Sequence, residues 1–236
     1  MNKKTRNGLI AAAIVIIVAG AGGYMFMKSY LGNKVAIKSV VPAATVAAEG
    51  NNTATSAQSV SGSELNGKWA INNTSKVYFS VTTSQEKVNF VDNKVSGNWN
   101  VNVDDPAKMT AEGQIDMSAI DSGTAQRDEH VKSADFFDVS QFPNATFKAT
   151  SFENVPTQWV SGATNEFKMN GTLTVKGKAK EVVFTMKGVY QDGKMLLSGA
   201  TKVTFADFGM TNPHSVVLST QNDINVQLEL VLDKQS

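Results

Sequence analysis

Two histidines, no cysteine and a knot of carboxylates around one of the histidines limit the chemistry open to this chain. The stretch RDEHVKSADFFDVSQFPNATF, residues 127–147, holds Arg127, Asp128, Glu129, His130, Asp135, Asp138 and four phenylalanines. An imidazole beside carboxylates can serve as a general acid or base, with Asp128 or Asp135 orienting the ring. Arg127, Asp128, His130 and Asp135 can equally fasten a helical element by charge-assisted hydrogen bonds, or touch the polar head of a ligand. Phe136, Phe137, Phe142 and Phe147 offer a hydrophobic mouth or a set of anchors, each burial contributing about 1.5–3 kcal/mol.

No metal site is expected. His130 and His214 would need carboxylates to complete a ligand set, and neither HxxxH nor HExxH spacing is present. The ADFGM sequence at 206–210 contains Asp-Phe-Gly without the phosphate loop or catalytic loop of a kinase, so Asp207 and Gly209 read as a strand-to-turn transition. From residue 66 to the end the chain carries a net charge of −3, against +1 overall. That balance gives no electrostatic footprint for nucleic acid.

The elements that must position these residues are strands. In KVSGNWNVNVDD, Val95, Gly97, Trp99, Val101 and Val103 share one face, and Met109, Ala111, Gly113, Ile115 and Met117 repeat the alternation across Asp104-Asp105-Pro106. Further one-faced runs are Val77, Phe79 and Val81; then Phe167, Met169, Gly171, Leu173 and Val175; and Ile224, Val226, Leu228, Leu230 and Leu232. ATFKATSF, EVVFTMKGVYQ and KMLLSGATKVTF complete about eight long strands, KWAIN opens the sheet and KVNFV adds a short stretch, with turns expected at Lys176-Gly177, Asp192-Gly193 and Gln221-Asn222. Only residues 118–137 lack the two-residue period, which predicts one or two short helices there, capped by Ser118, Asp121 or Ser133. One helical insertion among antiparallel strands is the pattern of a closed barrel with a lid or plug. The small inward residues Gly97, Ala111, Gly113 and Gly171 either leave a cavity or mark corners where strands bend.

Ahead of the strands, residues 9–27 form a run of 19 positions without a charge. As a helix it would extend roughly 28 Å, close to the hydrocarbon thickness of a bilayer. Three divisions are therefore expected: a membrane anchor or uncleaved signal over 1–31, a flexible linker over 32–65, and a barrel domain over 66–236. The clustering of Lys3, Lys4 and Arg6 before the run tilts the orientation towards an exported C-terminal domain.

Arg127-Asp-x-His130, Lys132-Ser133-x-Asp135-Phe136-Phe137-Asp138, Phe142-Pro143 and Thr146-Phe147 resemble the signature of the YceI-like family of lipid-binding proteins. NGTLTVKGKAKEVVF at 170–184 and FADFGM at 205–210 are similar to two further segments of that family, in the right order. The resemblance implies an all-β, eight-stranded antiparallel lipocalin-like barrel with a short helical insertion. It also implies an isoprenoid lipid, such as a quinone tail or polyprenyl phosphate, held in the interior for transport or storage, and the bacterial periplasm; the run at 9–27, outside the resemblance, adds the expectation of a single-pass tether to the inner membrane. Family members often carry a His after the F-S-V strand, where this chain has Thr82 and Thr83.

Phe79, Trp99, Ile115, Phe137, Phe147, Leu173 and Phe184 are the expected apolar lining. Binding of this kind requires no catalytic residue and no cofactor beyond the lipid. Competing readings are an enzyme acting on bound lipid through His130 and a protein-interaction module with a filled barrel.

Overall fold

The computed structural model describes residues 32–42, 59–84, 86–213 and 219–236. In chain order its elements are β1 (Ser59–Val60), α1 (Gly62–Leu65), β2 (Gly67–Ile71), β3 (Lys76–Thr83), β4 (Lys87–Asp92), β5 (Val95–Val101) and β6 (Thr110–Asp116). They continue with α2 (Ala125–Lys132), β7 (Asn144–Glu153), β8 (Trp159–Val160), β9 (Asn165–Val175), β10 (Lys178–Gln191), β11 (Lys194–Thr204) and β12 (Thr220–Lys234).

One antiparallel sheet dominates. It runs β11-β10-β9-β7-β6-β5-β2-β12, and the pairing of β11 with β12 closes it into an eight-membered ring. The β3–β4 hairpin continues β2 and β5, because β12 pairs β2 through Leu232–Lys234 and then β3 through Thr220–Glu229. At the break between β2 and β3, Val231 keeps its hydrogen bonds: it accepts from Asn72 N at 2.7 Å and donates to Ser75 Oγ at 2.9 Å. Closure leaves few edges, and the free edge of β4 is covered on both sides of Val91. Val91 exchanges two backbone hydrogen bonds of 2.9 Å with Asp121, and Asn89 N donates to Asn33 Oδ1 at 3.0 Å.

The alternation read from the sequence appears as inward and outward faces, and two of the three expected turns are present. Lys176-Gly177 and Asp192-Gly193 have φ of 49°, 69°, 52° and 72°. This is the paired left-handed geometry of a two-residue hairpin loop. Gln221-Asn222 instead lies inside β12, since closure against β11 extends that strand to Thr220. The helical insertion is shorter than 118–137. Only 125–132 is α-helical; its N-cap Thr124 makes no side-chain cap bond, Asp116 caps the 3-10 turn at Met117–Ala119, and Ser133 stands at the C-cap.

No helix among the described residues is long and apolar enough to cross a membrane. The eight-residue α2 would extend only about 12 Å, against roughly 30 Å of hydrocarbon. This corrects the expected architecture to a barrel with minor helical content and, among the described residues, no membrane helix. The run at 9–27 lies outside the described residues. The readings built on it, namely the membrane tether, the inner-membrane partner and the single-pass topology with a periplasmic domain, are withdrawn with it. Residues 32–42 and 59–65, expected to belong to a flexible linker, also contact the domain. The capping box of α1 joins Ser61 and Glu64, and Leu65 is 1% exposed.

The two ends of the barrel differ. At the end holding the β5–β6 and β10–β11 turns, Leu65, Trp69, Val103, Trp159, Met195, Leu197 and Leu232 are buried. The Trp69 indole donates to Leu65 O at 2.8 Å, and Trp159 fills the space left by Gly188, where a Cβ would stand 2.9 Å from its ring. Around the opposite end lie the β9–β10 turn, the β6–β7 connection and the start of β12.

Candidate functional site

A barrel plugged at one end has room only at the other, and there the inward faces stop being fully buried. Along β12, Leu230 and Leu232 are buried, while Leu228 and Val226 are partly accessible although both point inward. Val95, Ile115, Phe147 and Leu173 behave in the same way from other strands. These residues surround a cavity with about 950 Å³ of free space, part of it continuous with solvent.

Phe79, Trp99, Ile115, Phe137, Phe147, Leu173 and Phe184 all lie on its wall. Phe79 stacks on Phe90 at 4.7 Å and meets Phe137 edge-on at 5.6 Å, and Phe147 meets Phe184 edge-on at 5.3 Å. The sequence alone missed Phe208, Met210, Val203 and Val175, which complete the wall near the β9–β10 and β11–β12 connections. Phe208 and Met210 follow no two-residue period, because they sit on the 3-10 turn Ala206–Phe208 and the left-handed Gly209 that ends it. Asp207 holds this turn through Thr204 N at 2.8 Å and an ion pair with Lys180 at 2.7 Å. The Lys180 hydrogen bond keeps its carboxyl below the usual range.

The small inward residues divide between both readings. Gly113 and Ala111 border free space, whereas Gly171 is occupied: a Cβ there would stand 2.4 Å from the Phe147 ring. Gly97 is a close backbone approach, with its would-be Cβ 2.1 Å from Glu112 O.

The four phenylalanines of residues 127–147 also part company. Phe137 and Phe147 reach the cavity, Phe136 packs edge-on against His130 at 4.9 Å, and Phe142 lies over Gly177 in the β9–β10 turn. The segment from Met117 to Pro143 thus forms a lid. Within it Asp128 accepts from Ser122 N at 2.8 Å, a bond internal to the segment, and Arg127 Nη2 donates to Gly32 O at 3.0 Å. Both are buried, and His130 and Asp135 are exposed. His130 makes no side-chain hydrogen bond to a carboxylate among the described residues, so the imidazole and its proposed orienting groups are not assembled. His130→Ala is expected to change stability by less than about 0.5 kcal/mol, as for other exposed positions, and to leave ligand retention unaltered. A thermal melt and a ligand-release assay check both. His214 lies outside the described residues, and among those described no group of three or more His, Asp or Glu side chains could hold a metal ion.

A carboxylate faces inward on β4. Asp92 is paired across the ladder with Val77, is 0% exposed, and accepts from Lys94 N at 2.8 Å. Burial pushes its pKa up to about 6, with Asp116 adding to the rise and Lys94 and Lys132 opposing it. Because the folded value lies above the unfolded one, the native state holds the extra proton between pH 4 and 6. Stability should therefore fall as pH rises through that window, by up to about 2–3 kcal/mol. Asp92→Asn should flatten the profile and raise stability at neutral pH; urea titrations from pH 4 to 7 would show whether it does.

Comparison with known proteins agrees with this geometry. A crystal structure of BcnA from Burkholderia cenocepacia superposes with a TM-score of 0.59 at 20% identity, covering 68% of this chain and 98% of that one. A polyisoprenoid binding domain from Saccharophagus degradans, implicated in plant cell wall breakdown, gives 0.57 at 12% identity over 71% of this chain and 98% of its own. A Campylobacter jejuni YCEI protein gives 0.53 at 22% over 62% and 85%. In sequence, a UPF0312 protein of Vibrio cholerae is 32% identical over 127 residues, 50% of this chain and 62% of that protein. A UPF0312 protein of Shewanella baltica is 27% identical over 150 residues, 60% of this chain and 71% of its own. The model of the YceI-like domain matches residues 69–232, from the tryptophan of the plugged end to the last inward leucine of β12, and the chain belongs to that family.

Proposed function

We propose that the barrel binds the apolar tail of an isoprenoid-type lipid in the cavity between β12 and the lid. The observation that carries this reading is the row of inward apolar side chains left accessible, Val95, Ile115, Phe147, Leu173, Val226 and Leu228, around a cavity open to solvent at one end of the barrel. A filled barrel would bury them, as its other end does. Withdrawing a hydrocarbon chain from water supplies the driving force, roughly 25 cal/mol for each Å² of apolar surface covered. Membership of the YceI-like family and the printed description of the Saccharophagus domain as polyisoprenoid binding favour isoprenoid chains over other apolar ligands.

The domain is a non-enzymatic binding module. Phe79, Trp99, Ile115, Phe137, Phe147, Leu173 and Phe184 contact the tail. Arg127 and Asp128 latch the lid, and a ligand's polar head stays at the mouth, since the wall offers no charged side chain beyond Glu112, which turns outward to pair with Lys148 at 3.1 Å. Mass spectrometry of organic extracts from the purified protein tests the proposal. Recovery of an isoprenoid in near-stoichiometric amount supports it, and the absence of bound lipid together with failure to take up added polyprenol or quinone overturns it.

A further inference from the structure

Residues 32–42 form an extended strap that crosses the outside of the barrel and ends on the lid. Its C-terminal half is held by Glu229, which projects from the outer face of β12 yet is 1% exposed. Glu229 Oε2 accepts from Val40 N at 2.7 Å and Ser39 Oγ at 3.1 Å, while Oε1 accepts from Ser198 Oγ at 2.8 Å and Gln227 Nε2 at 2.5 Å. Half of the donors that make this buried carboxylate tolerable therefore come from the strap. The N-terminal half of the strap lies on the edge of β4: Asn33 Oδ1 accepts from Asn89 N, and Val35 O accepts from Asn89 Nδ2 at 2.8 Å.

At its N-terminal end the strap meets the lid. Gly32 O accepts from Arg127 of α2, and Lys34 abuts Gly123, where an added Cβ would stand 2.7 Å from the Lys34 Cβ. Alongside, the lid's Asp121 takes the next place on the same β4 edge through Val91. The buried residues of α2 are Arg127 and Asp128, so this helix is seated by polar contacts and not by an apolar face. From α2 the connection reaches the cavity directly. Phe137 N donates to Val131 O at 3.1 Å and Val139 N to Lys132 O at 3.0 Å, which fixes Phe137 on the cavity wall against Phe79.

We propose that the strap is a brace for the lid: seated on Glu229 and Asn89, it holds α2 and Phe137 closed over the cavity, and its displacement opens the mouth and speeds ligand exchange. Rate control of this kind places the switch about the N-terminal segment and outside the binding wall. The exchange part rests on the lipid-binding reading above, whereas the bracing part stands on the strap contacts alone.

The test uses the full chain with Asn33→Ala and Ser39→Ala together, both exposed side chains whose loss leaves the core intact. Hydrogen exchange is measured on the ligand-free protein, and release of dansyl-farnesol by stopped-flow fluorescence. Brace action requires amides of α2 to exchange about tenfold faster, equivalent to about 1.4 kcal/mol, with β9–β11 unchanged and probe release faster by a similar factor. If the Val40 amide shows the strap released while α2 exchanges as before, the brace is overturned. Should neither protein take up the probe, the lipid reading fails, and the α2 exchange rates still decide the brace.

Discussion

Val226→Trp should weaken binding of an isoprenoid chain by at least about 100-fold while the barrel still folds. Val226 lies midway along β12, between Thr201 and Phe79 on its neighbouring strands, and its inward side chain is only partly buried because it borders free space. An indole there takes volume from the tail without forcing apart a packed core, so the usual cost of overpacking is largely avoided. Equilibrium titration with farnesol or a quinone, alongside a thermal melt, separates the two effects. Unchanged affinity in a folded variant would place the ligand elsewhere. Val226→Leu, which adds a single methylene, should bind within a few-fold of the parent.

The second large effect belongs to the opposite end. Trp69→Ala should destabilise the domain by about 3–5 kcal/mol, because it opens a void where Leu65, Val103 and Leu232 are also nearly inaccessible, and because it leaves Leu65 O without its indole donor. For a domain of this size that corresponds to a fall in Tm of roughly 10–15 °C. Phe147→Ala should cost about half as much: its ring is only partly buried, so less transfer free energy is lost, and the space it vacates joins a cavity that already exists. Equal losses at the two positions would contradict the division of the barrel into a packed end and an open one.

That division explains what could be read from the chain and what could not. Alternation in β5, β6, β9 and β12 assigned inward faces correctly, because a strand repeats every two residues wherever one face is apolar. The Lys176-Gly177 and Asp192-Gly193 turns were legible for a similarly local reason, left-handed backbone at consecutive positions. All seven residues expected on the wall do border the cavity. Phe208 and Met210 were not legible, since a 3-10 turn has no strand period to betray which side chains turn inward. The apolar run at 9–27 carried a strong local signal for a membrane helix, and the described structure contains no such helix.

The stretch at 127–147 shows the limit most plainly. Its composition announced a site, but residue type alone could not separate Arg127 and Asp128, which are buried and hydrogen-bonded to Gly32 and Ser122, from His130 and Asp135, which face solvent. Nor could it separate Phe137 and Phe147, which reach the cavity, from Phe136 and Phe142, which do not. By itself, then, the sequence determined the strands, their inward faces, two of the turns and the family signature, all of which depend on neighbours a few residues apart. Tertiary structure decided which end of the barrel is filled, which side chains remain accessible inside it, and that residues 32–42 are seated on Glu229 and the lid. Those outcomes depend on contacts between positions as distant as Val40 and Glu229, where closure of the ring, and no local pattern, sets which groups meet.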